Sequence, residues 1–84
     1  MAKVEIYTTQ YCPYCLRAKQ LLQQKGVSYV EINLQDKPDE LVALKARTGM
    51  RTVPQIFIND KLIGGFTELL GLETSHQLDA LLKD

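Results

Sequence analysis

The sequence has 84 residues, with ten basic and ten acidic side chains and a formal net charge of zero. This length accommodates one hydrophobic core, so we expect one domain over residues 1–84. A neutral balance excludes the usual nucleic-acid-binding protein, because phosphate binding needs a basic surplus. The sequence has no basic run, signal-peptide pattern or long apolar segment, which predicts a cytoplasmic protein with no membrane partner.

The first half of the chain predicts a strand, a helix, a strand and a second helix. Apolar residues alternate near the N-terminus as in a strand, and Pro13 and Gly26 are typical of the start and end of a helix. A second alternation over 30–34 predicts the next strand. Asp36 is predicted to be the N-cap of the second helix, which Gly49 ends. The apolar face of that helix is assigned to Leu41, Val42 and Leu44.

The second half predicts a hairpin followed by two short helices. The apolar run 56–58 is typical of a strand buried on both faces, and 61–63 is its partner after a turn. One helix is predicted from about Thr67, and Thr74 with Gln77 fits a capping box for the last. The order β-α-β-α-β-β-α-α predicts an α/β sandwich, in which helices flank both faces of a mixed four-stranded sheet.

The segment Cys12-Pro13-Tyr14-Cys15 contains both cysteines of the chain. It lies where the first predicted strand meets the first predicted helix, so Cys12 takes the N-cap position and Cys15 follows one turn later. The free N–H groups and positive dipole at a helix N-terminus favour thiolate over thiol. We therefore expect a lowered pKa and high reactivity for Cys12, and lower exposure for Cys15.

Three interpretations of the cysteine pair compete. A structural disulfide would close a very short loop, which stabilises little and is kept reduced in the cytosol. Structural zinc needs four ligands, and beyond the two cysteines the chain offers one histidine, His76, which is distant in sequence. Thiol–disulfide exchange needs two close cysteines at a strand–helix junction. The sequence therefore favours redox chemistry without a metal site.

Three motifs together resemble the glutaredoxin family over essentially the whole chain. Tyr7-Thr8 followed by the cysteine pair looks like the active-site opening of that family. The segment 51–58, Arg-Thr-Val-Pro-Gln-Ile-Phe-Ile, looks like its second signature, and Gly64-Gly65 followed by a polar pair looks like its third. Because the three motifs occur in register, the chain resembles a glutaredoxin of the dithiol CPYC type and of the bacterial glutaredoxin 3 class.

The resemblance implies a fold and a chemistry. The fold is thioredoxin-like, with a cis peptide bond before Pro54. The activity is glutathione-dependent thiol–disulfide oxidoreduction, in which Cys12 is the nucleophile and Cys15 resolves the mixed disulfide. Glutathione is a co-substrate, and no tightly bound cofactor or metal is expected.

The resemblance also assigns a glutathione site. The Val53 backbone would pair with the backbone of glutathione, as an added strand does. The helix start after Gly65 would hold its γ-glutamyl carboxylate, and Arg51 is a candidate for its glycine carboxylate. The residues implied are Tyr14, Arg51, Thr52, Val53, Pro54, Gly65, Phe66, Thr67 and Glu68.

Some positions depart from the family pattern. Thr9 stands where many members have a lysine, and Lys19 or Arg17 is a candidate to replace that cation. Glu68 stands where aspartate is common, and Phe66 replaces a smaller residue. We expect these departures to affect glutathione affinity more than redox chemistry. Among the remaining polar residues, Gln55 and His76 are expected at the surface.

The resemblance implies glutathione and disulfide-containing or glutathionylated proteins as partners, with ribonucleotide reductase a candidate target. A monomer is the expected state. Two other functions stay open. One is a redoxin that takes electrons from thioredoxin reductase and passes them to ribonucleotide reductase. The other is an iron–sulfur cluster carrier, against which Pro13 argues, because members with that role usually have a smaller residue there.

Overall fold

A computed structural model describes residues 2–83, in which eight elements follow one another in the predicted order. The four strands form one sheet in the order β2-β1-β3-β4. Strands β1 and β2 are parallel, and the other two pairs are antiparallel, which confirms the mixed sheet. The elements are β1 (Val4–Thr8), α1 (Pro13–Gln24), β2 (Val30–Asn33), α2 (Pro38–Thr48), β3 (Gln55–Ile58), β4 (Lys61–Gly64), α3 (Phe66–Thr74) and α4 (Leu78–Leu82).

One face of the sheet carries the main core. Side chains alternate across a strand, so every second residue of β1 and β3 points to the same face. On this face they pack against α1, α3 and α4, and all of them are buried. The cluster consists of Val4, Ile6, Ala18, Leu21, Leu22, Ile56, Ile58, Leu69 and Leu78. This core fixes the start of α1, and therefore Cys12, relative to the end of β1.

The opposite face of the sheet is only partly covered. The Tyr7 and Phe57 rings meet there edge to face with centroids 5.6 Å apart, and the Arg47 guanidinium from α2 lies 5.4 Å from the Phe57 ring centroid. Helices therefore lie on both faces, as predicted. The prediction that β3 is buried on both faces is wrong at Phe57, which stays half-buried because α2 spans only part of this face.

Helix ends follow local chemistry, with one correction. Cys12 is the N-cap of α1 and Pro13 its first residue, as predicted. Gly49 ends α2 in the left-handed conformation, with φ of 76°. The N-cap of α2 is Lys37 rather than Asp36, so the start of this helix rests on the fixed φ of Pro38 and makes no side-chain cap hydrogen bond. No helix among residues 2–83 is long and apolar enough to cross a membrane.

Two further sequence-based assignments are wrong, and one strand residue is more exposed than its neighbours in the sheet. Val42 does not belong to the apolar face of α2, because 67% of its surface is exposed while Leu44 is buried. Val30 is 59% exposed, since β2 is an edge strand whose start is not covered. The Thr74–Gln77 capping box does not form: Thr74 is the last residue of α3, and Gln77 caps α4 without a side-chain hydrogen bond.

Candidate functional site

The two cysteines lie at the N-terminus of α1, directly after the loop that leaves β1. Cys12 and Cys15 form a disulfide, with their Cα atoms 5.2 Å apart, so the structure represents the oxidised pair. Cys12 is half-buried at the surface, whereas only 2% of Cys15 is exposed. This confirms the expected asymmetry. Only Cys12 is accessible to a large substrate without a rearrangement of the helix.

The surroundings of Cys12 favour a negatively charged sulfur. Its Sγ accepts a hydrogen bond of 3.1 Å from the backbone N–H of Cys15. The sulfur stands at the helix N-terminus, where the positive end of the macrodipole adds to this donor. A thiolate is the attacking species in disulfide exchange and also the better leaving group. The local backbone therefore stabilises the state that Cys12 needs when reduced.

The peptide bond between Val53 and Pro54 is cis, as the sequence resemblance implies. Pro54 is buried and Val53 is half-buried. The Val53 carbonyl oxygen lies 3.7 Å from Cys12 Sγ. The backbone at Val53 therefore runs directly beside the sulfur of Cys12.

A groove of ≈ 500 Å³ lies on the Val53 side of the cysteine pair. Its walls are the loop before β3, the start of α3 and one aromatic side chain of α1. The lining residues are Tyr14, Met50, Thr52, Val53, Pro54, Gly65, Phe66, Thr67 and Glu68. The structure thus brings together all the residues that the sequence assigned to glutathione except Arg51, and it adds Met50. Arg51 is exposed and is not among the described lining residues.

The start of α3 forms the far end of the groove. The backbone N–H of Gly65 donates a 2.7 Å hydrogen bond to Glu68 Oε1, so the Glu68 side chain folds back over its own helix start. The first N–H groups of a helix have no partner within the helix. Because Glu68 takes the N–H of Gly65, the N–H groups that follow it are the ones left for an incoming carboxylate.

Both candidate cations of α1 have contacts of their own near the cysteine pair. Lys19 Nζ pairs with a Glu31 carboxylate oxygen at 3.2 Å, and the Thr8 hydroxyl donates to the same oxygen at 2.7 Å. The Thr8 hydrogen bond and the Lys19 charge hold the pKa of Glu31 below its usual range. Arg17 lies 5.6 Å from the centroid of the Tyr14 ring. The positive charge of Lys19 is therefore already engaged beside the site.

The prediction that Gln55 is exposed is wrong, because its side chain is 0% exposed. Its amide nitrogen donates to the carbonyl oxygens of Met50 and Thr52, at 3.3 and 3.1 Å. Its amide oxygen lies 2.8 Å from the Thr48 hydroxyl. A buried amide needs partners of this kind, and because they come from a loop and from the end of α2, the residues next to Gln55 gave no signal of its burial. His76 is exposed, as predicted.

Volume alone does not identify the site. A second hollow, of ≈ 520 Å³, lies on the opposite face of the sheet between Arg47, Phe57 and Asp60, with no cysteine in its lining. A third, of ≈ 480 Å³, borders Cys12 on the Lys19 and Glu31 side. The groove beside Val53 combines a helix start with a residue whose carbonyl oxygen lies 3.7 Å from Cys12 Sγ, and is therefore the candidate binding site.

A strand that ends in a Cys-x-x-Cys helix start, with a cis-proline loop beside the first sulfur, defines a thiol–disulfide oxidoreductase of thioredoxin-like fold. The glutaredoxin family model matches residues 4–63. The chain is 51% identical to a glutaredoxin of Pseudomonas aeruginosa over 82 residues, which covers 98% of both chains. It is 48% identical to glutaredoxin 3 of Escherichia coli K12 over 83 residues, which covers 99% of this chain and all of the relative. The chain belongs to the glutaredoxin family.

Solved structures agree with this assignment. The holo form of glutaredoxin C1 from Populus tremula x tremuloides superimposes with a TM-score of 0.92 at 40% identity, over 99% of this chain and 78% of that one. A buckwheat glutaredoxin–glutathione complex superimposes with a TM-score of 0.90 at 34% identity, over 98% of this chain and 77% of that one. The thioredoxin-like fold is therefore confirmed.

Proposed function

We propose that this oxidoreductase uses glutathione to reduce glutathione mixed disulfides and protein disulfides, with Cys12 as the nucleophile. One observation carries the proposal: Val53 lines the groove, and its carbonyl oxygen is 3.7 Å from Cys12 Sγ. A peptide that pairs with the Val53 backbone lies within reach of the sulfur. The glutathione bound by the buckwheat relative supports the choice of that peptide.

The reaction with a mixed disulfide needs Cys12 alone. The Cys12 thiolate attacks the glutathione sulfur, a new disulfide joins Cys12 to glutathione, and the substrate sulfur leaves as a thiolate that takes a proton from water. A second glutathione thiolate then attacks the bound glutathione sulfur. Glutathione disulfide leaves and the Cys12 thiolate is regenerated, so one free glutathione is consumed and one substrate thiol is released for each mixed disulfide reduced.

The reaction with a protein disulfide needs both cysteines. Cys12 attacks one sulfur of the substrate and forms a mixed disulfide, and the Cys15 thiolate then attacks Cys12 Sγ. The substrate leaves as a dithiol and the Cys12–Cys15 disulfide remains, which is the state that the structure describes. Two glutathiones reduce this disulfide and leave as glutathione disulfide.

The groove and the neighbouring Arg51 offer a complement for each end of the glutathionyl group. The Val53 backbone pairs with the backbone of the tripeptide, as in strand addition. The free N–H groups at the start of α3, with the Thr67 hydroxyl, bind the γ-glutamyl carboxylate. The Glu68 carboxylate binds the neighbouring ammonium. Tyr14 and Phe66, whose ring centroids are 6.3 Å apart, form a wall of the groove, and Arg51 is the candidate for the glycine carboxylate.

The partners follow from this chemistry. They are glutathione, glutathionylated proteins and disulfide-containing proteins, with ribonucleotide reductase a candidate among the last group. The protein is proposed to act as a cytoplasmic monomer with one domain over residues 1–84 and no tightly bound cofactor. The relevant compartment is a reducing one, because glutathione must be present mainly as the thiol.

The test is reduction of a small glutathione mixed disulfide, coupled to glutathione reductase, for the wild type, Cys12→Ser and Cys15→Ser. We expect activity that is lost in Cys12→Ser and retained in Cys15→Ser. Reduction of a protein disulfide should need both cysteines. A wild type with a reducible disulfide but no response to glutathione would overturn the proposal, and reduction by thioredoxin reductase would then favour the reductase-linked redoxin.

A further inference from the structure

A hydrogen-bond network joins the end of α2 to the loop that carries the cis-proline. The backbone N–H of Met50 donates to Thr48 Oγ1 at 3.2 Å, and Thr48 Oγ1 lies 2.8 Å from Gln55 Oε1. Gln55 Nε2 donates to the carbonyl oxygens of Met50 and Thr52. Both loop residues line the groove, whereas Gln55 does not. The network therefore reaches the groove through the backbone of Met50 and Thr52, and not through the Gln55 side chain itself.

The orientation of the Gln55 amide follows from its partners. A carbonyl oxygen is only an acceptor, so the end of the amide that faces Met50 and Thr52 must be the NH₂ group. The amide oxygen then faces Thr48 and needs a donor. The Thr48 hydroxyl has one proton and two acceptors near it, Leu44 O at 3.0 Å and Gln55 Oε1 at 2.8 Å. The shorter contact assigns that proton to Gln55.

Gln55 can restrain the loop because it lies in β3, one of the two inner strands of the sheet. It is paired with Tyr7 of β1, the strand that leads through a short loop to Cys12. Its side chain extends from this rigid strand to the backbone on both sides of Arg51. A leucine of similar size would fill the same space without holding the loop, and it would leave the carbonyl groups of Met50 and Thr52 without this donor.

We propose that Gln55 and Thr48 are positioning residues, which hold the Met50–Thr52 backbone so that Val53 stays beside Cys12. The inference rests on the proposed function, since the groups positioned in this way are those offered to glutathione. Neither side chain is among the described lining residues of the groove. Their effect is therefore exerted through the Val53 backbone, and it concerns substrate binding more than the exchange step.

The test compares three threonine variants. Thr48→Val keeps the shape of the side chain and removes the hydroxyl, and Thr48→Ser restores the hydroxyl. Thr74→Val is the matched control: Thr74 is also the last residue of its helix and donates to the carbonyl oxygen of Leu70 at 2.9 Å, but its position in α3 is remote from the loop. Gln55→Leu tests the other partner, and Thr48→Val still decides the question if Gln55→Leu does not fold.

Two readouts separate positioning from general stability. We expect Thr48→Val to raise KM for the glutathione mixed disulfide about tenfold, equivalent to about 1.4 kcal/mol, with kcat nearly unchanged. Thr48→Ser should restore KM. The NMR order parameters of the Met50–Val53 amides need no glutathione, and they should fall from about 0.85 to below about 0.6 in Thr48→Val.

Equal KM and order parameters in Thr48→Val and Thr74→Val, with only a lower melting temperature, would overturn the inference. The order parameters also keep it distinct from the proposed function. If the wild type does not use glutathione, the proposed function fails, but a selective loss of order at Val53 in Thr48→Val still supports the positioning role. Unchanged order parameters contradict that role whatever the activity.

Discussion

The carboxylate of Glu68 lies 2.7 Å from the backbone nitrogen of Gly65 and caps the start of α3 where this helix lines the groove. This contact gives Glu68 two functions in the proposed mechanism. It stabilises the helix as one half of a capping box, and its negative charge faces the place where the glutathione ammonium is proposed to bind. The two functions can be separated, because the first needs only an acceptor and the second needs a charge.

Glu68→Gln keeps an acceptor for the Gly65 N–H and removes the charge. We expect KM for a glutathione mixed disulfide to rise about three- to tenfold, since a partly exposed charge pair is lost. The free energy of unfolding should change by less than about 0.5 kcal/mol. Glu68→Ala should raise KM similarly and also cost about 1 kcal/mol of stability. An unchanged KM in Glu68→Gln, beside a raised one in Glu68→Ala, would assign the effect to the cap instead.

Gly64 has no room for a side chain. Its φ of 126° is unfavourable for other residues, and a Cβ there would lie 2.7 Å from Glu68 Cγ. We expect Gly64→Ala to lower the free energy of unfolding by about 1–3 kcal/mol, measured by urea denaturation. Gly71→Ala is the control, because this helical position has nothing within 4 Å and alanine should stabilise it by up to about 1 kcal/mol. Similar results for both variants would contradict the close approach.

A positive charge at position 9 should activate Cys12. Thr9 borders the same hollow as Cys12, and Lys19 in that hollow is already paired with Glu31. We expect Thr9→Lys to lower the pKa of the Cys12 thiol, because a nearby cation favours the thiolate. Alkylation by iodoacetamide below neutral pH should become several-fold faster. Thr9→Met controls for side-chain length. Equal rates in the two variants would show that the charge does not reach the sulfur.

Glu31 should contribute to stability except in acid. The Thr8 hydrogen bond and Lys19 lower its folded-state pKa below the ordinary 4.5, so the folded protein favours the carboxylate. This stabilisation is complete above pH 4.5 and disappears as pH falls through the folded-state pKa. We expect Glu31→Gln to cost at most about 1 kcal/mol near pH 7, because the pair is partly exposed.

Urea denaturation of the wild type and Glu31→Gln at several pH values measures this effect. The difference in free energy of unfolding should shrink as the pH falls below 4.5 and through the lowered folded-state pKa of Glu31. A difference that stays constant from neutral to acid pH would show that the side chain contributes by packing alone.

The order of elements could be predicted from sequence because each signal is local. Alternating apolar residues indicated β1, and Pro13 and Gly26 bracketed α1 as they do in the structure. Burial could not be predicted in the same way. Val30 and Val42 are exposed because no element covers them, and this depends on where α2 and the edge strand lie relative to the sheet. Such coverage is a property of the tertiary arrangement.

The candidate site was predictable where a motif marks it and hidden where partners come from a distance. The N-cap position of Cys12 follows from Pro13 alone. The interior position of Gln55 depends on carbonyl groups that a loop turns inward, and the pairing of Lys19 with Glu31 depends on how α1 crosses β2. Neither arrangement has a signature in the adjacent residues. The sequence shows that Lys19 carries a positive charge, but it does not show that this charge is paired with Glu31.

The central claim is that Cys12 carries glutathione during the reaction. Intact-mass spectrometry of Cys15→Ser after treatment with glutathione disulfide tests it most directly. We predict one glutathione adduct, located on Cys12 by peptide mapping and removed by added glutathione. Cys12→Ser, in which the buried Cys15 is the remaining thiol, should acquire none. The absence of an adduct on Cys15→Ser, or an equal adduct on Cys12→Ser, would contradict the account.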